Sequence, residues 1–190
     1  ERWNSIKGGD PTDDDVANMF EEFVPAQLAC LPQYTGLLPG VAEVTQQLQK
    51  DGIRLGVSTG FVRSMVDVLL ADARKQGFSP DATVAGDEVV NGARPKPHMV
   101  YKNLDLMDIT SIQSVVKVDD TISGVGEGLN AGCWAVGVAR YSNYLNINSI
   151  EEANNLAEIE IERRIEQTRE MLRKSGAHYV LDSIVDLPAV

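Results

Sequence analysis

The stretch Val115-Val116-Lys117-Val118-Asp119-Asp120-Thr121-Ile122-Ser123-Gly124 decides how this chain folds. β-branched apolar residues run straight into two carboxylates, and small polar residues and a glycine then open a helix. An α/β protein places acid groups in this way at the carboxyl end of a buried strand, the edge where open parallel sheets hold ligands. Two adjacent carboxylates are costly to bury unless a cation or hydrogen-bond donors balance them. A hard, oxygen-seeking ion such as Mg²⁺ suits that need. Taken alone, the run also reads as a strand end with a helix cap, so its neighbours must decide.

Working outward, helical and strand-like segments alternate. Helical patterns cover Val41 to Lys50, Phe61 to Gln76, Pro97 to Met107, Ser123 to Ala131 and a long charged stretch from about Ser149 to Lys174. Apolar strands fall at Ile53 to Ser58, Ala82 to Ala85, Val115 to Val118, Trp134 to Val138 and Tyr179 to Leu181. Asp51-Gly52 and Gly77 punctuate them. Such alternation predicts a doubly wound, Rossmann-like parallel sheet covered by helices on both faces. The stripe Ile150, Ala153, Leu156, Ala157, Ile161, Ile165 and Leu172 reads as ordinary amphipathic packing. Before Leu38-Pro39-Gly40 the chain is helical, with Val16, Met19, Phe20, Phe23 and Val24 on an apolar face. Asp10-Pro11-Thr12-Asp13-Asp14-Asp15 has the acids of a metal loop, but proline and acidic residues in this order favour a helix start.

The 190 residues suffice for a real core, and 43% hydrophobic with 24% charged residues is a globular composition. A net charge of −11 argues against nucleic-acid or membrane-surface binding, which need basic patches. The apolar runs are too short to span a bilayer. Cys30 and Cys133 form neither a metal pattern nor a disulfide framework, so they read as buried thiols of a cytoplasmic protein. His98 and His178 sit at the start of a helix and of a strand, and both read as structural.

Function in such a sheet gathers at the carboxyl ends of adjacent strands. One end gives Ser58-Thr59-Gly60, a hydroxyl beside backbone that glycine leaves open to close approach. The next connection gives Gly92-Ala93-Arg94-Pro95-Lys96-Pro97, and the last end gives Asp119-Asp120-Thr121. A hydroxyl with backbone amides, a guanidinium fork and a metal-holding carboxylate together make a phosphate-binding kit.

In order and placement these segments resemble the second, third and fourth motifs of the haloacid dehalogenase superfamily. Ile53 to Phe61, Gly92 to Asn103, Val116 to Thr121, Glu127 to Gly132 and the tail Arg173 to Val180 further resemble the phosphonoacetaldehyde hydrolase (phosphonatase) family. Arginine at the third motif, where most of the superfamily has lysine, is a fairly specific mark. The resemblance implies Mg²⁺-dependent cleavage of phosphonoacetaldehyde to acetaldehyde and phosphate. A cap lysine would form a Schiff base with the aldehyde and a core aspartate would attack phosphorus. It further implies that Thr59 hydrogen-bonds the phosphoryl group, Gly60 presents its backbone, Arg94 neutralises phosphoryl charge and Asp120 ligates Mg²⁺. Asp119 would turn away into structure. Residues 1–38 would be the end of a helical cap and 39–190 a haloacid-dehalogenase-like core, the protein pairing as a homodimer through the cap.

The chain departs from this pattern in places. Gly124 stands where much of the superfamily has a second carboxylate, and Phe61 where a tyrosine can occur. No Asp-x-x-Gly-Thr strand end supplies the nucleophile, and no lysine matches the Schiff-base position; Lys96 belongs to its own turn. The expectation is therefore a fragment of a phosphonatase, its nucleophile strand and cap lysine lying upstream of Glu1, inactive as it stands. The alternatives are a phosphatase or phosphomutase of the same superfamily, or a non-catalytic remnant serving as a binding or dimerisation module.

Overall fold

The computed structural model describes residues 2–92, 94–147, 152 and 155–189. The expectations placed on Ala93, Ser149, Ile150 and Ala153 lie outside the described residues.

The acidic run at the amino end is a helix start, as the sequence predicts. After a short helix α1 (Arg2–Lys7), Thr12 caps α2 (Asp13–Cys30). The Thr12 hydroxyl accepts from the Asp15 amide at 3.2 Å, and the Asp15 carboxylate accepts from the Thr12 amide at 2.9 Å. This reciprocal cap satisfies two otherwise orphaned groups, and Asp13, Asp14 and Asp15 face the positive end of the helix dipole. No residue of α2 is buried, and Val16, Met19, Phe20 and Phe23 remain 45–55% exposed. The connection after α2 is tied to the next region by Thr35, whose hydroxyl donates to Asp72 at 2.9 Å, and by Gln76, which bonds the backbone of Thr35 and Leu37.

Beyond α3 (Val41–Lys50) come β1 (Gly56–Ser58), α4 (Arg63–Lys75), β2 (Ala82–Val84), α5 (His98–Leu106) and β3 (Val116–Asp119). The chain continues through α6 (Ile122–Ala131), β4 (Trp134–Val138), α7 (Glu158–Lys174) and β5 (Tyr179–Leu181). β1 is shorter than the sequence predicts, because the Leu55 amide is taken by the Asp81 carboxylate at 2.8 Å rather than by a neighbouring strand.

All pairing is parallel, but the strands form two sheets, β1–β2 and β3–β4–β5. Among the described residues only β4 has a strand on each side, and it is buried along nearly its whole length. Val116, at the start of β3, is half exposed, so β3 is not the fully buried strand its composition suggests. Such a strand needs a neighbour on both edges and cover on both faces. The resemblance places the nucleophile's strand in the middle of the sheet, and the division between β1 and β3 falls there.

The largest apolar cluster joins Val125, Ala135, Ala139, Leu145, Ile165 and Leu172, packing α6 and α7 onto β4. Within the predicted stripe, Ile161, Ile165 and Leu172 do pack, whereas Ala157 is exposed at the cap of α7. A second cluster, Val66, Leu70 and Ala85 with Phe61, holds α4 beside the first sheet. Gly132 ends α6 at φ +83°, a left-handed conformation that favours glycine. Among the described residues no helix is long and apolar enough to cross a membrane.

Candidate active site

The junction between the two sheets is held by charge rather than by strand pairing. Arg94 bridges it. One terminal guanidinium nitrogen donates to the Ser58 carbonyl at 2.5 Å, at the end of β1, and the other lies 3.2 Å from Asp119 Oδ2, at the end of β3. Its Nε stands 3.2 Å from Glu127 Oε2, but out of line for a hydrogen bond. Lys117, one pleat before Asp119 on the same face of β3, reaches Asp119 Oδ2 at 2.5 Å and Glu127 Oε2 at 3.5 Å. Ser58 closes the circuit by donating its hydroxyl to Glu127 at 2.9 Å. Asn130 accompanies them, donating to the Pro95 carbonyl at 2.8 Å and pinning the arginine's loop onto α6.

Asp119 is buried in structure, as the sequence predicts, but there it meets Arg94 instead of turning away from it. It is the last residue of β3, and its second oxygen accepts from the Thr121 amide at 3.0 Å and hydroxyl at 2.7 Å. Thr121 in turn caps α6 by accepting from the Gly124 amide at 3.0 Å. The departure at Gly124 has a steric reason: a Cβ there would lie 1.9 Å from Asp119 Cγ. The Asp119 carboxylate fills the space that a side chain at position 124 would need.

The adjacent carboxylates are driven in opposite directions. Burial works against ionisation of Asp119, but Lys117 and Arg94 outweigh it and hold its carboxyl below the usual range. Burial pushes Asp120 up, and the neighbouring Asp119 charge adds to the effect. Among the described residues no side chain lies within ion-pair distance of the Asp120 carboxylate; its own carbonyl accepts from Ser142 at 2.6 Å. A hard cation there would relieve both penalties, so the donor chemistry at Asp120 fits Mg²⁺. No three His, Cys, Asp or Glu side chains group into a full ligand set among the described residues. Mg²⁺ commonly keeps several waters and takes only one or two carboxylates.

Thr59 follows Ser58 directly. Its amide continues the parallel ladder to the Val84 carbonyl at 3.2 Å, and its hydroxyl accepts from the Phe61 amide at 3.2 Å. Gly60 is exposed with open space where a side chain would project. Thr59 and Phe61 also border an apolar cavity of about 290 Å³ that runs to Tyr34, Thr35 and Leu37. A larger polar hollow, lined by Arg63, Asp67, Arg74 and Asp81, contains none of these residues.

The structure thus ties Arg94 to the residues immediately before Thr59 and Asp120. Lys96 stays outside, donating to the Asn91 carbonyl at 2.6 Å. His178 is structural: its Nδ1 accepts from the Ala135 amide at 3.0 Å while its ring packs on Trp134. Cys133 is buried, and burial raises its thiol pKa. Cys30 is only partly buried, contrary to expectation, since it ends a helix with no buried residue; its thiol donates to the Gln27 carbonyl. Sequence reasoning assigned no role to Glu127, Lys117 or Ser58. The available signal was a charge where none is expected: Lys117 inside an apolar strand, and Glu127 between glycines on the small-residue face of α6.

Comparison with known proteins gives these residues a family. Residues 6–132 match the family model of haloacid dehalogenase-like hydrolases. A phosphonoacetaldehyde hydrolase of Bacillus cytotoxicus is 38% identical over 188 residues, covering 99% of this chain and 70% of that protein. The bifunctional phosphonoacetaldehyde hydrolase/aminoethylphosphonate transaminase of Clostridioides difficile is 37% identical over 185 residues, 97% of this chain but 29% of that protein. The crystal structure of a phosphonoacetaldehyde hydrolase-like protein from Oleispira antarctica superposes with a TM-score of 0.90 at 34% identity, over 99% of this chain and 67% of that one. Sequence, fold and the arginine at the sheet junction agree: this chain belongs to the haloacid dehalogenase-like hydrolases and, within them, to the phosphonoacetaldehyde hydrolase family.

Proposed function

We propose that the protein cleaves the carbon–phosphorus bond of phosphonoacetaldehyde, giving acetaldehyde and phosphate, and that this chain supplies the phosphoryl-binding side of the site. The observation that carries the reading is Arg94, fixed by the Ser58 carbonyl and Asp119 where the carboxyl ends of β1 and β3 meet. A planar fork held on two sides presents directed donors to a phosphoryl group, and oriented positive charge is worth most where charge accumulates on its oxygens. Thr59 acts beside it. Because its oxygen already accepts from Phe61, its own proton is left to donate outward. Gly60 keeps the adjoining backbone open to the same oxygens. Asp120 would hold Mg²⁺, which supplies further neutralisation of phosphoryl charge when bound.

The family's covalent steps need an aspartate in line with phosphorus and a lysine that condenses with the aldehyde. No residue of these 190 matches either. Asp119 is committed to Lys117 and Arg94, so it cannot serve as the nucleophile. We assign 1–38 to the cap and 39–190 to the core, and the exposed Val16–Phe23 face of α2 supports a homodimer built through that cap. The unpaired thiols Cys30 and Cys133 suit a reducing cytoplasm.

The test is acetaldehyde release from phosphonoacetaldehyde by the full-length protein, with Mg²⁺ and then with a chelator. The expected result is turnover lost on chelation. Full activity with chelator present refutes the metal assignment, and no release at all refutes the activity. Residues 1–190 assayed alone should show no turnover.

A further inference from the structure

We propose that Glu127 is the positioning residue for Arg94: it fixes the guanidinium at the sheet junction and thereby sets the affinity of the site for phosphoryl oxygens. The inference rests on the reading of Arg94 as the phosphoryl-binding group.

Glu127 is fully buried, with 0% of its surface exposed. An ionised carboxylate in that position is retained only against compensating partners. All of its contacts run through one oxygen: Oε2 meets Ser58 Oγ at 2.9 Å, Arg94 Nε at 3.2 Å and Lys117 Nζ at 3.5 Å. The other oxygen, Oε1, is buried without a hydrogen-bond partner, and so is Arg94 Nε. Buried polar atoms are nearly always paired, so two orphaned atoms facing each other's side chains single this contact out. Glu127 also comes from α6, while Arg94 comes from the loop before α5 and Ser58 from β1. One carboxylate therefore fixes the arginine relative to both sheets.

Charge and position predict opposite results. Arg94 and Lys117 face Asp119 and Glu127, with Asp120 beside them, so neutralising Glu127 makes the cluster one charge less negative. By charge alone, Glu127→Gln should tighten binding of an anion. If Glu127 works by aiming the guanidinium, the same change should weaken it, because the fork loses its orientation and Gln presents an N–H₂ to a cation.

The experiment uses the full-length protein with Mg²⁺ and measures the dissociation constant of inorganic phosphate by calorimetry. Glu127→Gln and Glu127→Asp are examined with Arg94 and with Arg94→Ala, beside kcat and KM for phosphonoacetaldehyde. Glu127→Gln is expected to weaken phosphate binding about tenfold in the presence of Arg94 and less than about twofold in the Arg94→Ala background, the signature of a residue acting through its partner. Glu127→Asp, which keeps the charge but not the reach, should fall between. Tighter or unchanged binding in Glu127→Gln overturns the proposal, as does equal weakening in both backgrounds. Failure of both Glu127 variants to fold overturns it as well, since Glu127 is then part of the scaffold first. Coupled phosphate binding without acetaldehyde release would sink the proposed activity while leaving Glu127 in its role; turnover without coupling would do the reverse.

Discussion

Two arginines, Arg94 and Arg169, each gather more than one carboxylate, and they are treated differently. Arg169 on α7 donates to Asp182 through both Nε (2.7 Å) and Nη2 (2.6 Å), and through Nη1 to Glu166 at 2.6 Å and Glu162 at 2.9 Å. Around it, Arg163 and Arg164 hold the Glu160 carboxyl down to about 2 by hydrogen bonds. Each nitrogen of Arg169 has a carboxylate acceptor, and its acidic partners lie against solvent, so the group pins α7 to the end of β5. Arg94, by contrast, is surrounded by acids at a junction with no strand pairing, yet its Nε and one oxygen of Glu127 are left without hydrogen bonds. A completed network costs little to keep and contributes modest stability. An incomplete one in the interior is expensive, and local rules are broken in this way at sites kept for another purpose.

The largest effect that would break this comparison is at Arg94. Arg94→Ala should reduce turnover by the full-length protein by on the order of 10³-fold, roughly 4 kcal/mol of barrier. Arg94→Lys should recover little of it, because an ammonium cannot reach Ser58, Asp119 and a phosphoryl oxygen together. Steady-state kinetics on the two variants is sufficient, and full activity in the lysine variant would make Arg94 one more structural arginine.

Next in size is Gly124→Ala, which forces a methyl into the Asp119 carboxylate. The expected loss is about 2 kcal/mol in a denaturant titration. An unchanged midpoint would show that Asp119 is free to move and that the junction is looser than its ion pairs suggest. Arg169→Ala should cost about 1 kcal/mol at most and leave turnover untouched. A melt paired with an activity assay separates it cleanly from Arg94.

The smallest expected effect concerns Asp120. Its pKa is raised in the folded chain, chiefly by burial, so the folded state binds the extra proton more tightly than the unfolded one. Stability from this group is thus fully present below its ordinary unfolded pKa and is lost as pH rises through the raised value. At neutral pH the charged Asp120 is unfavourable without a cation, and Asp120→Asn should raise stability slightly, by less than about 1 kcal/mol once solvent screening is allowed for. Mg²⁺ should raise the melting temperature of the native protein and not of the Asn variant. Asp119 and Asp182 carry the opposite sign: their lowered pKa values contribute stability above the ordinary carboxylate range that is lost as pH falls through the folded values.

Much of this was readable along the chain. The alternation of helical and strand-like periods gave the parallel α/β class, and Thr12 with Asp15 announced the start of α2 without any tertiary information. The order Thr59, Arg94, Asp120 at successive strand ends pointed to phosphoryl chemistry. Strand lengths were less readable, because β1 is curtailed by a side chain from Asp81, 26 residues away.

The sequence by itself determined the local elements and the family, since both depend on periodicity, turn chemistry and motifs that lie within a few residues of one another. Strand alternation also required Asp119 and Asp120 to point to different faces. Which of those faces carries Arg94 was decided only by the tertiary structure, and it set Asp119 rather than open solvent against the guanidinium. The same holds for Glu127, whose bond to Ser58 spans 69 residues. A buried charge is tolerable only for the partners it meets in space, and those partners come from a strand, a loop and a helix that no local pattern connects.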